Sequence, residues 1–191
     1  MKAINIIYAE HRALGAVLQA LRFVLDSIRD ARLKVDFNLL EAMIEYITEV
    51  PDKLHHPKED DYLFVTMRER IPEAAALLDK LQADHAHGTQ STRNLRAALS
   101  RYQAAGDAGF AEFEAVAKTY MDASWKHLGI EERELLPMAR LKLAPQDWAS
   151  INAAFEANKD PWSGPTGEFK ALFSRIVNMV PAPYGVGPDL V

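Results

Sequence analysis

The sequence contains no cysteine. That absence removes disulfides, thiolate catalysis, iron–sulfur ligation and cysteine-type zinc sites. It is compatible with a reducing cytoplasm, the location expected for this chain. No run of about 18 apolar residues is present, so no membrane span is expected. The N-terminal stretch "MKAINIIYAEHRALGAVLQAL" lacks the shape of a signal peptide, because charges interrupt its apolar residues and no small-residue cleavage site follows. An excess of positive charge is also missing. The net charge is −5, so neither nucleic acid nor an anionic membrane surface is expected as a partner. No feature names a protein partner. Glycine and proline are sparse as far as Leu143, and alternation of the strand type is weak.

What is present is helical periodicity. The chain has 191 residues, 49% of them apolar, enough for one domain with a substantial core or a domain with a short extension. The first periodic segment spans about residues 3–32, with a seam of Ile4, Ile7, His11, Leu14, Leu18, Leu21, Leu25 and Ile28. Steps of three and four are those of a bundle seam, and one histidine interrupts the aliphatic stripe. The second spans about 37–70. Its seam runs from Leu40, Ile44 and Ile47 through Pro51 to His55, Glu59 and Leu63, and Pro51 and Pro57 should each kink or divide it. The third spans about 72–104, with His85 in its stripe, and "AAGDAG" ends it. The fourth spans about 108–142, with Phe113, Val116, Tyr120, His127, Glu131, Leu135 and Met138 on one side. After Leu143 come a short helix in "APQDWASINAAFEANKD", a loop at "PWSGPTG", an amphipathic helix in "EFKALFSRIVNMV" and an irregular tail. Residues 144–191 therefore read as a helical appendage packed on a domain of residues 1–143.

The two halves of that domain match. Glu10-His11 stands where Asp84-His85 stands in the second half, and "HHPKEDDYLF" aligns with "HLGIEERELL". The result is an imperfect duplication of a helical hairpin. Each hairpin offers one histidine from its first helix and a His-x-x-x-Glu pair from its second. Residues four apart project from one helix face, so a histidine and a carboxylate there can grip or bridge metal ions. Two such hairpins packed antiparallel would bring together His11, His55, Glu59, His85, His127 and Glu131. Six ligands exceed the needs of one tetrahedral zinc. They suit two ions of higher coordination bridged by carboxylates. Imidazole with carboxylate favours iron or manganese, and leaves zinc and copper open. Burying these groups with no cation would cost several kcal/mol per unpaired charge.

His87 lies two residues from the seam position of His85, about 200° around the helix, and should face solvent. His56 is one residue from His55, and Pro57 disturbs the helix there. The repeat favours His55 as the ligand, with His56 as its competitor. Asp60, Asp61, Glu132 and Glu134 read as solvated, or as partners to the ligand imidazoles. Tyr8 and Tyr120 read as core residues, with lining of a ligand pocket as the alternative.

The motifs "AEHRALG", "HHPKEDDYLF", "ADHAHG" and "HLGIEERELLPMA" resemble those of the hemerythrin-like, or HHE cation-binding, family over about residues 3–142. The resemblance implies an all-α fold, an up-down antiparallel four-helix bundle, with two non-haem iron ions in its core. It implies the six residues above as ligands, with both glutamates bridging. Oxygen-carrying members carry a fifth histidine four residues after the one on the third helix, and here that position is Thr89. Members with four histidines and two glutamates resemble proteins of iron-centre repair and nitric-oxide stress, whose N-terminal cysteine-containing region is absent here. The function this implies is binding of dioxygen, nitric oxide or peroxide, in sensing or stress response. The enzymatic alternative is detoxification of peroxide or nitric oxide, or repair of iron centres, at the same site. No dedicated acid–base residue is evident.

Overall fold

A computed structural model of the chain describes residues 1–157 and 167–188. Its regular structure among those residues is helical throughout. Helix α1 is Lys2–Arg29. It stops short of Arg32 because Ala31 takes a positive φ of 53°, a conformation that breaks the helical repeat. A helical run α2 (37–70) follows, with the Asp36 side chain accepting the Leu39 N–H at its start, 3.1 Å. Helix α3 is Ala75–Ala105, entered through the single 3-10 turn Pro72–Ala74. Gly106 ends it at φ +61°, which glycine adopts without penalty. A run α4 (110–142) comes next, then α5 (Asp147–Ala157) and α6 (Gly167–Met179). The expected loop "PWSGPTG" falls largely outside the described residues, as does the end of the tail.

The prolines of α2 do not break it. The run passes from Phe37–Val50 through a π turn at Pro51–His55, a short α segment His56–Lys58 and a second π turn at Glu59–Phe64 into Val65–Arg70. α4 has the matching device, a π turn at Glu131–Leu135 between Phe110–Ile130 and Leu136–Lys142. Pro57 and Pro137 each follow a π turn closely. A proline returns no N–H to the carbonyl four residues back and crowds it, and the wider turn accommodates that crowding. Pro51 leaves the Ile47 carbonyl in this position. The Tyr120 hydroxyl donates to it at 2.8 Å.

Two apolar clusters occupy the interior. One holds Leu14, Leu18, Leu40, Ile44, Leu95 and Phe113 among others. The other holds Ile4, Ile7, Leu63, Leu81, Leu135 and Ile151 among others. Each fully buried aliphatic side chain contributes about 1.5–3 kcal/mol. Along α1 and α3 the chain passes from the second cluster to the first, and along α2 and α4 from the first to the second. Between the clusters every run places its polar seam residues. Trp148, Ile151 and Phe155 of α5 are buried in the second cluster, and Leu172 and Ile176 of α6 in the first.

Candidate metal centre

The layer between the clusters holds His11 from α1, His55 and Glu59 from α2, His85 from α3, and His127 and Glu131 from α4. Five of these are buried, and the His127 side chain is 12% exposed. The structure therefore brings together all six residues picked out by periodicity and repeat. The Nε2 atoms face one another in two pairs, His11 with His55 and His85 with His127, each pair 3.1 Å apart.

The carboxylates span the pairs. Glu59 sets one oxygen 3.3 Å from His55 Nε2 and the other 3.7 Å from His85 Nε2. Glu131 sets one oxygen 3.3 Å from His11 Nε2 and the other 3.1 Å from His127 Nε2. Two sets of donor atoms result, each confined within 4.8 Å: His11, His55, Glu59 and Glu131, and then Glu59, His85, His127 and Glu131. Both glutamates belong to both sets.

Three of the four outer ring nitrogens meet carboxylates. His11 Nδ1 lies 3.0 Å from Glu132, His55 Nδ1 2.7 Å from Glu10, and His85 Nδ1 3.0 Å from Asp60. His127 Nδ1 faces Asp84 at 3.6 Å. An acid behind Nδ1 orients the ring and leaves Nε2 to point inward. The arrangement repeats with the halves. Glu10 and Asp84, each preceding a histidine, serve the other histidine of their own hairpin. Asp60 and Glu132, each following a glutamate, serve the opposite hairpin. Asp60 and Glu132 thus act as partners, while Asp61 and Glu134 are exposed. Sequence reasoning uses Glu10 and Asp84 only to align the repeat and misses this role. The available signal was an acid immediately before each first-helix histidine.

Lys58 was also missed. It is buried, 3.0 Å from the second oxygen of Glu10, with its ammonium 4.8 Å over the Phe155 ring. Burial pushes the Glu10 carboxyl up, but the His55 hydrogen bond and the charges of His55 and Lys58 outweigh it and hold its pKa below the ordinary value. Burial pushes His55 down, yet the Glu59 charge and the Glu10 hydrogen bond raise it well above the usual imidazole range. For His127 the burial effect is likewise outweighed by Glu131, and its pKa rises. Burial would raise Glu131, but the facing His11 and His127 rings hold it well below the carboxylate range.

Cation binding is supported by what these groups lack. Glu59 and Glu131 have no solvent exposure, and none of their four oxygens receives an aligned hydrogen bond. Burying a carboxylate costs several kcal/mol, offset here only by the facing imidazoles. Cations drawn to the four inward Nε2 atoms and four orphaned oxygens would remove that cost.

A cavity of about 290 Å³ opens beside the layer, walled by His55, His56, His85 and His127. Gly88, Ser91, Ala123 and Ser124 also line it. Tyr120 lines it too, while its hydroxyl is committed to Ile47. Tyr8 is half-buried against the second apolar cluster. His87 and Thr89 are exposed. His56 does not displace His55: it lies beside His85, stacked at 4.0 Å between ring centroids.

Among family models, the hemerythrin HHE cation binding domain matches residues 2–139. No curated protein and no solved structure matches the chain significantly.

Proposed function

The chain belongs to the hemerythrin HHE cation-binding family, and from that premise we propose that its core is a non-haem di-iron centre that binds a small oxygen species: dioxygen, nitric oxide or peroxide. The carrying observation is the pair of buried glutamates, each with one oxygen toward either imidazole pair and none satisfied by an aligned hydrogen bond. In this reading His11 and His55 would hold one ion and His85 and His127 the other, with Glu59 and Glu131 available to both. The donor set fits iron and would also accept manganese or zinc. Iron held there would supply reversible electron transfer and Lewis acidity toward a small ligand.

The chain's own residues do the rest. Glu132, Glu10 and Asp60 orient the rings of His11, His55 and His85, and Asp84 places a negative charge near His127. The two apolar clusters keep bulk water from either side of the polar layer. The cavity gives a small ligand room beside His55, His85 and His127. The fold completing this reading is an up-down antiparallel bundle of α1–α4 over residues 1–143. The alternating order of the two apolar clusters along the four runs supports it. Residues 144–191 are its appendage, supported by the burial of Trp148, Ile151 and Phe155. Binding without turnover would suit sensing or stress response in a reducing cytoplasm. Metal analysis after anaerobic reconstitution with ferrous iron should give two ions per chain. Fewer than one per chain would overturn the proposal. Optical and Mössbauer spectra with and without oxygen then separate stable binding from turnover.

A further inference from the structure

The duplication breaks at Lys58. "HHPKE" faces "HLGIE", so Lys58 stands opposite Ile130. Ile130 does what a duplicated apolar residue should and packs against the second cluster. Lys58 carries a charge inward instead. It is the only lysine or arginine among the buried described residues. Its ammonium meets one Glu10 oxygen at 3.0 Å, and the other Glu10 oxygen meets His55 Nδ1 at 2.7 Å. His55, Glu10 and Lys58 therefore form one buried chain that ends at a candidate ligand. Phe155 of α5 closes over its far end, 4.8 Å from the ammonium. A buried ion pair is often no more stabilising than apolar side chains of similar size. Ile130 supplies that apolar solution in the other half, so stability alone does not account for Lys58.

The second half shows the same arrangement without the buried cation. Asp84 stands where Glu10 stands, but its side chain is 42% exposed and lies 3.6 Å from His127 Nδ1. Its lysine, Lys80, is 44% exposed. Solvent screens both of those charges. Behind His55 water is excluded, so the charges of Glu10 and Lys58 are felt much more strongly.

We propose that Lys58 is a positioning residue for the ion at His11 and His55: it fixes Glu10 behind His55 and cancels its charge, so that this position favours ferrous over ferric iron. The inference rests on the metal-centre reading above. A carboxylate alone behind Nδ1 makes the ring a stronger donor and favours the ion of higher charge. The buried ammonium opposes that effect at one position only. The two positions thus differ although each draws on two imidazoles and both glutamates. α5 shares the role, because its Phe155 keeps the ammonium from water.

The test uses the full chain and iron alone. Wild type, Lys58→Met, Lys58→Gln, Glu10→Gln, Glu10→Gln/Lys58→Met and Lys80→Met are titrated anaerobically with ferrous iron against a competing chelator. Reduction potentials of the loaded proteins are then read with redox mediators, each ferric ion taking one electron from the mediator to become ferrous. Lys58→Met and Lys58→Gln should tighten one ferrous step by about tenfold and lower one potential. Glu10→Gln should do the reverse, the double variant should return toward wild type, and Lys80→Met should match wild type. A purely structural Lys58 would instead weaken binding when replaced, as Glu10→Gln does. Weakened or unchanged binding with an unchanged potential in both Lys58 variants would overturn the proposal and leave the centre intact. Equal shifts in Lys80→Met would also overturn it, since burial would then not matter. Wild type that binds fewer than one ion overturns the centre itself.

Discussion

Removing the Glu10 carboxylate tests the support of the site. Glu10 is 5% exposed and Lys58 is 6% exposed. One Glu10 oxygen takes the Lys58 ammonium at 3.0 Å and the other meets His55 Nδ1 at 2.7 Å. Glu10→Ala would leave a buried ammonium and a buried ring nitrogen without their carboxylate partner. Breaking a buried pair from one side costs about 3–5 kcal/mol, chiefly through the charge left behind. At about 2–4 °C per kcal/mol for a chain of this size, Tm should fall by roughly 6–20 °C. Lys58→Met removes the stranded cation and keeps an apolar chain against Phe155. The double variant Glu10→Ala/Lys58→Met should therefore be more stable than Glu10→Ala alone, with a coupling of about 1 kcal/mol or more. Thermal and urea unfolding of the metal-free variants gives all corners of the cycle. A Glu10→Ala cost under about 1 kcal/mol, with additive effects in the double variant, would refute the reasoning.

Three other outcomes are expected. Glu59→Gln and Glu131→Gln should each lower iron uptake below two ions per chain by metal analysis, and metal-free Glu131→Gln should unfold at a lower urea concentration, because the facing His11 and His127 rings stabilise the Glu131 charge; full uptake with unchanged stability would contradict this. Iron occupancy should fall as pH drops, and the fall should begin above pH 6.5, the ordinary imidazole value. The raised pKa values of His55 and His127 mean that their rings, in the metal-free site, still hold protons that an ion must displace; occupancy flat from pH 7.5 to 5 by equilibrium dialysis would count against the assignment. Gly109→Ala should destabilise the α3–α4 turn by about 1–3 kcal/mol, since a Cβ there would stand 2.7 Å from the Tyr102 Cα; an unchanged urea midpoint would show that the turn relaxes freely.

The six candidate ligands were legible because a polar residue on an apolar seam is costly, and a costly residue repeated in register needs a reason. Seam spacing identified them on all four runs, and the repeat chose His55 over His56. Several features were not legible. The π turns are changes of helical phase, and nothing in a pattern of threes and fours reports them beyond the prolines nearby. Lys58 reads as an ordinary helix-surface lysine until Glu10 and Phe155 arrive from α1 and α5. Asp84, likewise, faces His127 of another run, which periodicity alone leaves unconnected.

The sequence by itself determined the helical class, the four apolar seams, the internal duplication and the residues able to bind cations. All of these are properties of spacing along one chain, and a helix converts spacing into a face directly. Only the tertiary structure decided which imidazole meets which, which carboxylate oxygen turns to which pair, and where His56 goes. Those are relations between helices, set by how two apolar clusters pack on either side of a polar layer. That packing gives the departures of "HHPKE" from "HLGIE" separate places: His56 beside one imidazole pair, and Lys58 behind the other.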